Sequence, residues 1–253
     1  MINRDDRGNV AVVRMAHGKV SALDQALAER LVSELEALKK SSTVSAVVLT
    51  GTGSAFSAGV DLFQVLDGGA PYVKRFLPHL DALLRLVLTY PKPVVAAVNG
   101  HAIAGGCIIV AACDHRVMAE GTGRIGIPEL AVGVPFPTLA LEIIAARVAV
   151  PALRGLVYTG RTVHVDEAIE IGLVDEAAEA EHLLDRAWEV ATQLATIPAR
   201  SFELTKRTFA APVLERVKSM AAVDAAVVEA WSAPATHEAI QAYLGRTLGK
   251  KGA

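Results

Sequence analysis

Cysteine is scarce in this chain, and the two present, Cys107 and Cys113, sit in one apolar run. Their spacing fits no zinc-ligand pattern, and two thiols make no secreted disulfide framework, so a reducing, cytoplasmic setting is expected. Surplus charge of either sign is missing as well: 25 Lys and Arg stand against 27 Asp and Glu. With a pI near 6.4 there is no basic field to attract nucleic acid or an anionic membrane surface. The seven histidines are scattered without paired metal-ligand spacing, so no metal site is expected. No uninterrupted apolar run reaches the ~20 residues of a membrane span. The opening "MINRDDRGNVAVVRM" also lacks the charged-then-apolar order of a secretory signal.

Apolar residues, by contrast, are plentiful. They make up 52% of 253 residues, with a mean hydropathy of +0.38. That is enough for a substantial core, with apolar surface left over for contact between copies. Val-rich runs at 9–15, 45–51 and 92–100 read as buried strands. Leu23, Leu27, Leu31, Leu35 and Leu38 recur every three or four residues and predict an amphipathic helix ending in Lys39 and Lys40. The stretch 71–90 reads as largely helical, with Pro78 near a helix start or kink. A loose repeat follows. "VVLTG" leads to "FSAGVDL", "VAAVNG" leads to "AIAGGCII", and "HRVMAEGTGRIGIPELAVG" supplies a third unit. Tandem strand, strand, helix units predict stacked supersecondary turns rather than one flat sheet. From about residue 141 the chain reads as mostly helical, with a junction near 197.

Three places bear chemistry. "TGTGSAFSAGVDL" (50–62) has neither the third glycine of a dinucleotide fingerprint nor a Gly-Lys-Ser/Thr pair, which argues against a nucleotide-phosphate loop. "SAGVD" and "IAGGC" each feed a helix through a glycine turn, which leaves backbone N–H groups free at the helix start. Two such groups aimed at one point would hold an oxyanion; equally, the glycines allow close helix–strand packing. In "IGIPEL" (125–130), Glu129 is either an ordinary first-turn acid or a desolvated general base. Taken alone, the residues favour the ordinary reading.

Together and in this order, "FSAGVDL", "KPVVAAVNGHAIAGGCIIVAACD" and "IGIPELAVGVPF" resemble the crotonase superfamily of enoyl-CoA hydratases and isomerases. The resemblance runs from "GKVSALD" (18–24) to "TGRTVHVDEAIEIGLVDE" (159–176). It implies an α/β spiral of strand–strand–helix units over 1–196 and a C-terminal helical trimerisation region over 197–253. It also implies a homotrimer or dimer of trimers acting on an acyl-CoA, with coenzyme A brought by the substrate and no separate cofactor. The thioester oxygen would meet the amides of Val60 and Gly105. Lys19, Val20, Ala22, Ala58 and Leu62 would border the coenzyme A.

Departures from the family pattern point to the reaction. Hydratases of this family carry two glutamates; Glu129 matches the second, and Ile108 stands at the first. Isoleucine cannot hold the water that hydration needs, whereas one carboxylate suffices to move a proton from C2 to C4. "GVPFPTLALEI" also replaces the Pro-Gly-x-Gly-Gly stretch of hydratases. The resemblance is therefore to the Δ3,Δ2-enoyl-CoA isomerase branch. A hydratase using another acid, a different thioester reaction such as hydrolysis, and a non-catalytic acyl-CoA-binding subunit are the alternatives.

Overall fold

The computed structural model describes residues 1–248. The chain opens with a hairpin of β1 (Ile2–Arg7) and β2 (Val10–Met15). Helix α1 (Gln25–Lys40) follows, its start fixed by Asp24, whose carboxylate accepts the Leu27 amide at 2.7 Å. The leucines expected on one face are buried there: Leu27, Leu31, Leu35 and Leu38.

Three turns of a spiral come next. The first is β3 (Ala46–Thr50), β4 (Ala55–Ser57) and α2 (Leu62–Leu88). The second is β5 (Val94–Val98), β6 (His101–Ile103) and α3 (Gly105–Ala112). The third is β7 (His115–Ala119), β8 (Ile125–Gly126) and α4 (Glu129–Val132). The chain closes through α5 (Thr138–Ala145), α6 (Val150–Thr159), β9 (Thr162–Val163), α7 (Val165–Glu170), β10 (Glu176–Ala178) and α8 (Leu183–Leu194). Helices α9 (Ala199–Ser219), α10 (Ala221–Trp231) and α11 (Pro234–Leu248) end it.

The first strand of each turn enters a six-stranded sheet of order β1-β2-β3-β5-β7-β10, parallel except for the β1–β2 pair. The second strand enters a four-stranded sheet of order β4-β6-β8-β9. Asn99 ties neighbouring turns together. Its Oδ1 accepts the Gly51 amide at 2.8 Å, and its Nδ2 donates to the carbonyls of Gly53 and Ala55 at 3.1 and 3.2 Å.

Both faces of the large sheet are covered at its middle, which is why β3 and β5 are buried along their whole length rather than alternating with polar residues. Val12, Val48, Val95 and Val117 face Leu183, Ala187 and Val190 of α8 on one side. Val13, Val47, Val94 and Met118 face the main core on the other. Val227, Trp231 and Ile240 of the last helices join that main core.

Two features were not anticipated. β1 carries the charged string "INRDDR" and holds its place by antiparallel pairing at the sheet edge, not by burial. The helix expected at 71–90 begins earlier, at Leu62, and is broken at Gly69, where φ is 55° and ψ −154°. Pro71 starts the longer arm, and Pro78 lies within it.

Candidate active site

The first two turns of the spiral bring "SAGVD" and "IAGGC" into contact. Gly59 has φ +82°, and a Cβ there would lie 2.6 Å from the Ile103 carbonyl and 3.2 Å from the Gly105 nitrogen. Gly106 packs just as closely, since its Cβ would meet the Ser57 carbonyl at 2.6 Å. Close packing is thus the role of Gly59 and Gly106.

The amides of Val60 and Gly105 are free for a different reason. Leu23 pairs with Val60 as an isolated parallel bridge. The Leu23 amide donates to Gly59 O at 2.7 Å, and the Asp61 amide donates to Leu23 O at 2.9 Å. In such a bridge the central residue's own N–H points the other way. Gly105 opens α3, where the first amides have no partner in the helix. Within the described residues neither amide donates a hydrogen bond.

Ala104 sets the aim of the second amide. Its φ of 51° and ψ of −124° are unusual for a residue with a side chain, and strain of this kind concentrates at functional sites. Its own amide is anchored on Gly126 O at 2.8 Å. Nothing in the sequence marks this conformation, because glycine is the residue expected to adopt it.

Glu129 opens the one-turn helix α4 and is only 6% exposed. Its Oε2 is buried with no hydrogen-bond partner. Burial pushes its pKa up to about 8, against a smaller opposing contribution from its own backbone amide. Cys107 lies near enough to feel this acid: burial, then the charge of Glu129, hold its thiol well above the ordinary range. A capping acid would face solvent and bond the helix amides; Glu129 faces inward instead.

One cavity collects these groups. Val60, Gly105, Ile108 and Glu129 line it, as do Ala58 and Leu62. Glu129 is the only carboxylate among its described lining residues, and Ile108 is 3% exposed. Lys19, Val20 and Ala22 lie outside that lining, on the turn before Leu23. Val20 still touches the site's border, its carbonyl accepting the Ala58 amide at 3.0 Å. Asp61 caps α2, Asp114 accepts the Val94 amide and Lys206 Nζ, and His101 Nδ1 accepts the Arg124 amide, so all three serve structure.

The sequence did not point to Leu80, Trp231 and Tyr243, which complete the lining from α2, α10 and α11. Trp231 is held by its indole N–H donating to Pro135 O at 2.8 Å. These residues reach the site only through tertiary packing, and no local pattern announces them.

Chemically, the cavity offers two free backbone donors, one desolvated carboxylate and apolar walls. That set can stabilise a developing oxyanion and exchange a proton with carbon beside it. Among the described residues no helix is long and apolar enough to cross a membrane.

Comparison with known proteins agrees. A family model described as enoyl-CoA hydratase/isomerase matches residues 5–248. A putative enoyl-CoA hydratase of Thermus thermophilus is 38% identical over 205 residues, covering 79% of this chain and 80% of that protein. The mitochondrial enoyl-CoA delta isomerase 1 of Rattus norvegicus is 27% identical over 209 residues, covering 81% and 72%. The crystal structure of human mitochondrial delta3-delta2-enoyl-CoA isomerase superposes with a TM-score of 0.93 at 25% identity, covering 99% of each chain.

Proposed function

The chain belongs to the enoyl-CoA hydratase/isomerase family, and from that premise we propose that it is an isomerase converting 3-enoyl-CoA to 2-enoyl-CoA. Its fold is the crotonase spiral of strand–strand–helix units. The observation that carries the proposal is the single buried carboxylate: Glu129 is the only acid among the cavity's described lining residues, with Ile108 in place of a second.

In this reading the thioester oxygen sits on the amides of Val60 and Gly105. Ionised Glu129 takes a proton from C2, breaking that C–H bond, and the electrons pass into a dienolate. The two amides hold the charge that develops on oxygen; one such donor is typically worth about 2.7–4 kcal/mol in the transition state. Protonated Glu129 then gives the proton to C4, and the double bond comes to rest between C2 and C3. Ile108 and the apolar walls exclude water, which would compete for the proton and weaken the field of the amides. The reaction as written uses no group beyond the substrate's own coenzyme A.

Exposed apolar residues on α9, Phe209 at 80% and Leu204 at 46%, support contact between copies through the last helices. A homotrimer or dimer of trimers is the assembly we assign, to be checked by light scattering on the eluted protein.

The hydratase reading is supported by the 38% identity to the Thermus protein. A paired assay separates the two. Supplied with 3-enoyl-CoA, an isomerase raises the absorbance of the conjugated thioester. Supplied with 2-enoyl-CoA, a hydratase lowers it. Rapid loss of 2-enoyl-CoA without conversion of 3-enoyl-CoA overturns the proposal.

A further inference from the structure

A second cavity lies behind the first and shares a wall with it. The first measures about 80 Å³, and the second, between α2, α5 and α10, about 210 Å³. Leu80, Pro137 and Ala140 line both and form the shared wall. Of these three, Leu80 alone has a branched side chain that extends well beyond its backbone. It is 5% exposed.

Leu80 stands on a stripe of α2 with Leu77 and Leu84, which line the second cavity beside it. Val227 and Val228 of α10 form the opposite wall. Two polar side chains border the space, and both are engaged elsewhere: Asp81 with Arg85, and Asp224 with the Thr138 amide. Pro78, two residues before Leu80, has no N–H to give to the carbonyl four residues back, so the helix is less tightly held there. The second space is thus largely apolar and adjoins the acid's cavity, with Leu80 on the shared wall.

We propose that Leu80 closes off the second cavity, which would otherwise admit the distal carbons of an acyl chain, and so restricts this protein to short acyl groups. The inference rests on the first cavity being the thioester site. Where the path is open, each additional buried methylene favours binding about fourfold; where it is closed, added carbons gain nothing.

Binding is measured by calorimetry with butanoyl-CoA and decanoyl-CoA, saturated probes that need no turnover. The wild-type protein is expected to bind decanoyl-CoA no more tightly than butanoyl-CoA. Leu80→Ala is expected to shift the ratio of the two affinities at least tenfold toward decanoyl-CoA. Val228→Phe, added to Leu80→Ala, refills the second space and is expected to remove that gain. Thermal melts show whether each variant is folded, and Leu80→Val carries the same test with a smaller gain if Leu80→Ala is not. A wild-type protein that already prefers decanoyl-CoA tenfold overturns the inference. So does an unchanged preference in the folded Leu80 variants, or a gain that survives Val228→Phe. Failure of the wild-type protein to bind either thioester overturns the proposed function itself, so the two failures are distinguishable.

Discussion

The face of the six-stranded sheet under α8 is filled by valine, alanine and Leu183, and the titratable side chains at its edge, His115, Glu176 and Arg186, are paired with one another. The opposite core is just as dry but contains Ile108 and abuts Glu129, whose Oε2 has no partner. Both are built from the same strands, from alternate positions along each. What separates them is the connection between the two sheets. On the inner side the chain must turn from one sheet to the other three times, and each turn leaves backbone amides or a helix start at the edge of the core. The rear face has no such turns. Polar groups become reactive here because the fold strands them in an apolar setting, whereas the charged groups bordering the rear face are paired with one another.

The strongest way to break this contrast is Glu129→Gln, which keeps the shape and removes the charge. Turnover of 3-enoyl-CoA is expected to fall about 10²–10⁴-fold, the usual range for a positioned acid or base. Stability should move the other way. A carboxyl raised from 4.5 to about 8 binds its proton more tightly when folded. Its favourable contribution is complete below the unfolded pKa and is lost as pH rises through about 8. The Gln variant escapes that loss, so its advantage in Tm over wild type should be small near pH 5 and grow until about pH 8–9. The same group predicts that kcat/KM climbs with pH and levels off above about 8. A profile flat from pH 6 to 9, with full activity in the variant, would remove Glu129 from the chemistry.

Ile108→Glu sharpens the contrast by placing a second carboxylate in the same dry core. An unpaired buried acid costs at least about 2 kcal/mol, and two neighbouring acids resist ionising together. Isomerisation is expected to fall about tenfold and hydration of 2-enoyl-CoA to rise above the wild-type level, both read by absorbance. Intact isomerisation with no added hydration would sever Ile108 from the choice of reaction.

The adjacent glycines make a finer comparison. A methyl at Gly106 would meet the Ser57 backbone carbonyl at 2.6 Å, whereas one at Gly105 would meet only the tip of Leu23, at 2.8 Å. Gly106→Ala is therefore expected to cost about 1–3 kcal/mol in denaturant unfolding, as overpacking usually does. Gly105→Ala should cost less, because a leucine tip can move and a strand carbonyl cannot. Equal losses would mean that α3 shifts as a unit.

How much of this was readable beforehand follows from where each signal lies. The repeated units and Glu129 were legible because each occupies a short stretch with its own pattern: Val-rich strand, glycine turn, helix start. The role of Glu129 was not legible from those residues alone, because a first-turn acid looks the same whether it faces water or the core; only burial separates the readings. β1 was hidden because its charges obscure an edge strand that pairing, not burial, holds in place. Leu80, Trp231 and Tyr243 reach the cavity from helices distant in sequence, and each looks like ordinary core. The conformation of Ala104 was invisible for a different reason, since alanine gives no hint of a positive φ.

The smallest expected effect belongs to the rear face, and it tests whether that face is inert toward the chemistry. Val48 is wholly buried there, packed in the cluster that α8 completes. Val48→Ala removes two methyl groups and, with transfer and cavity contributions combined, should cost about 2 kcal/mol of stability. Its neighbours in β3, Val47 and Leu49, point into the other core, so the deletion leaves the walls of the acid's cavity untouched. Turnover at a temperature well below the melt should then stay within about twofold of wild type, while Tm falls. If kcat falls tenfold in a folded Val48→Ala protein, the two faces are coupled through the sheet. The separation drawn between a packing face and a reacting face would then have to be given up.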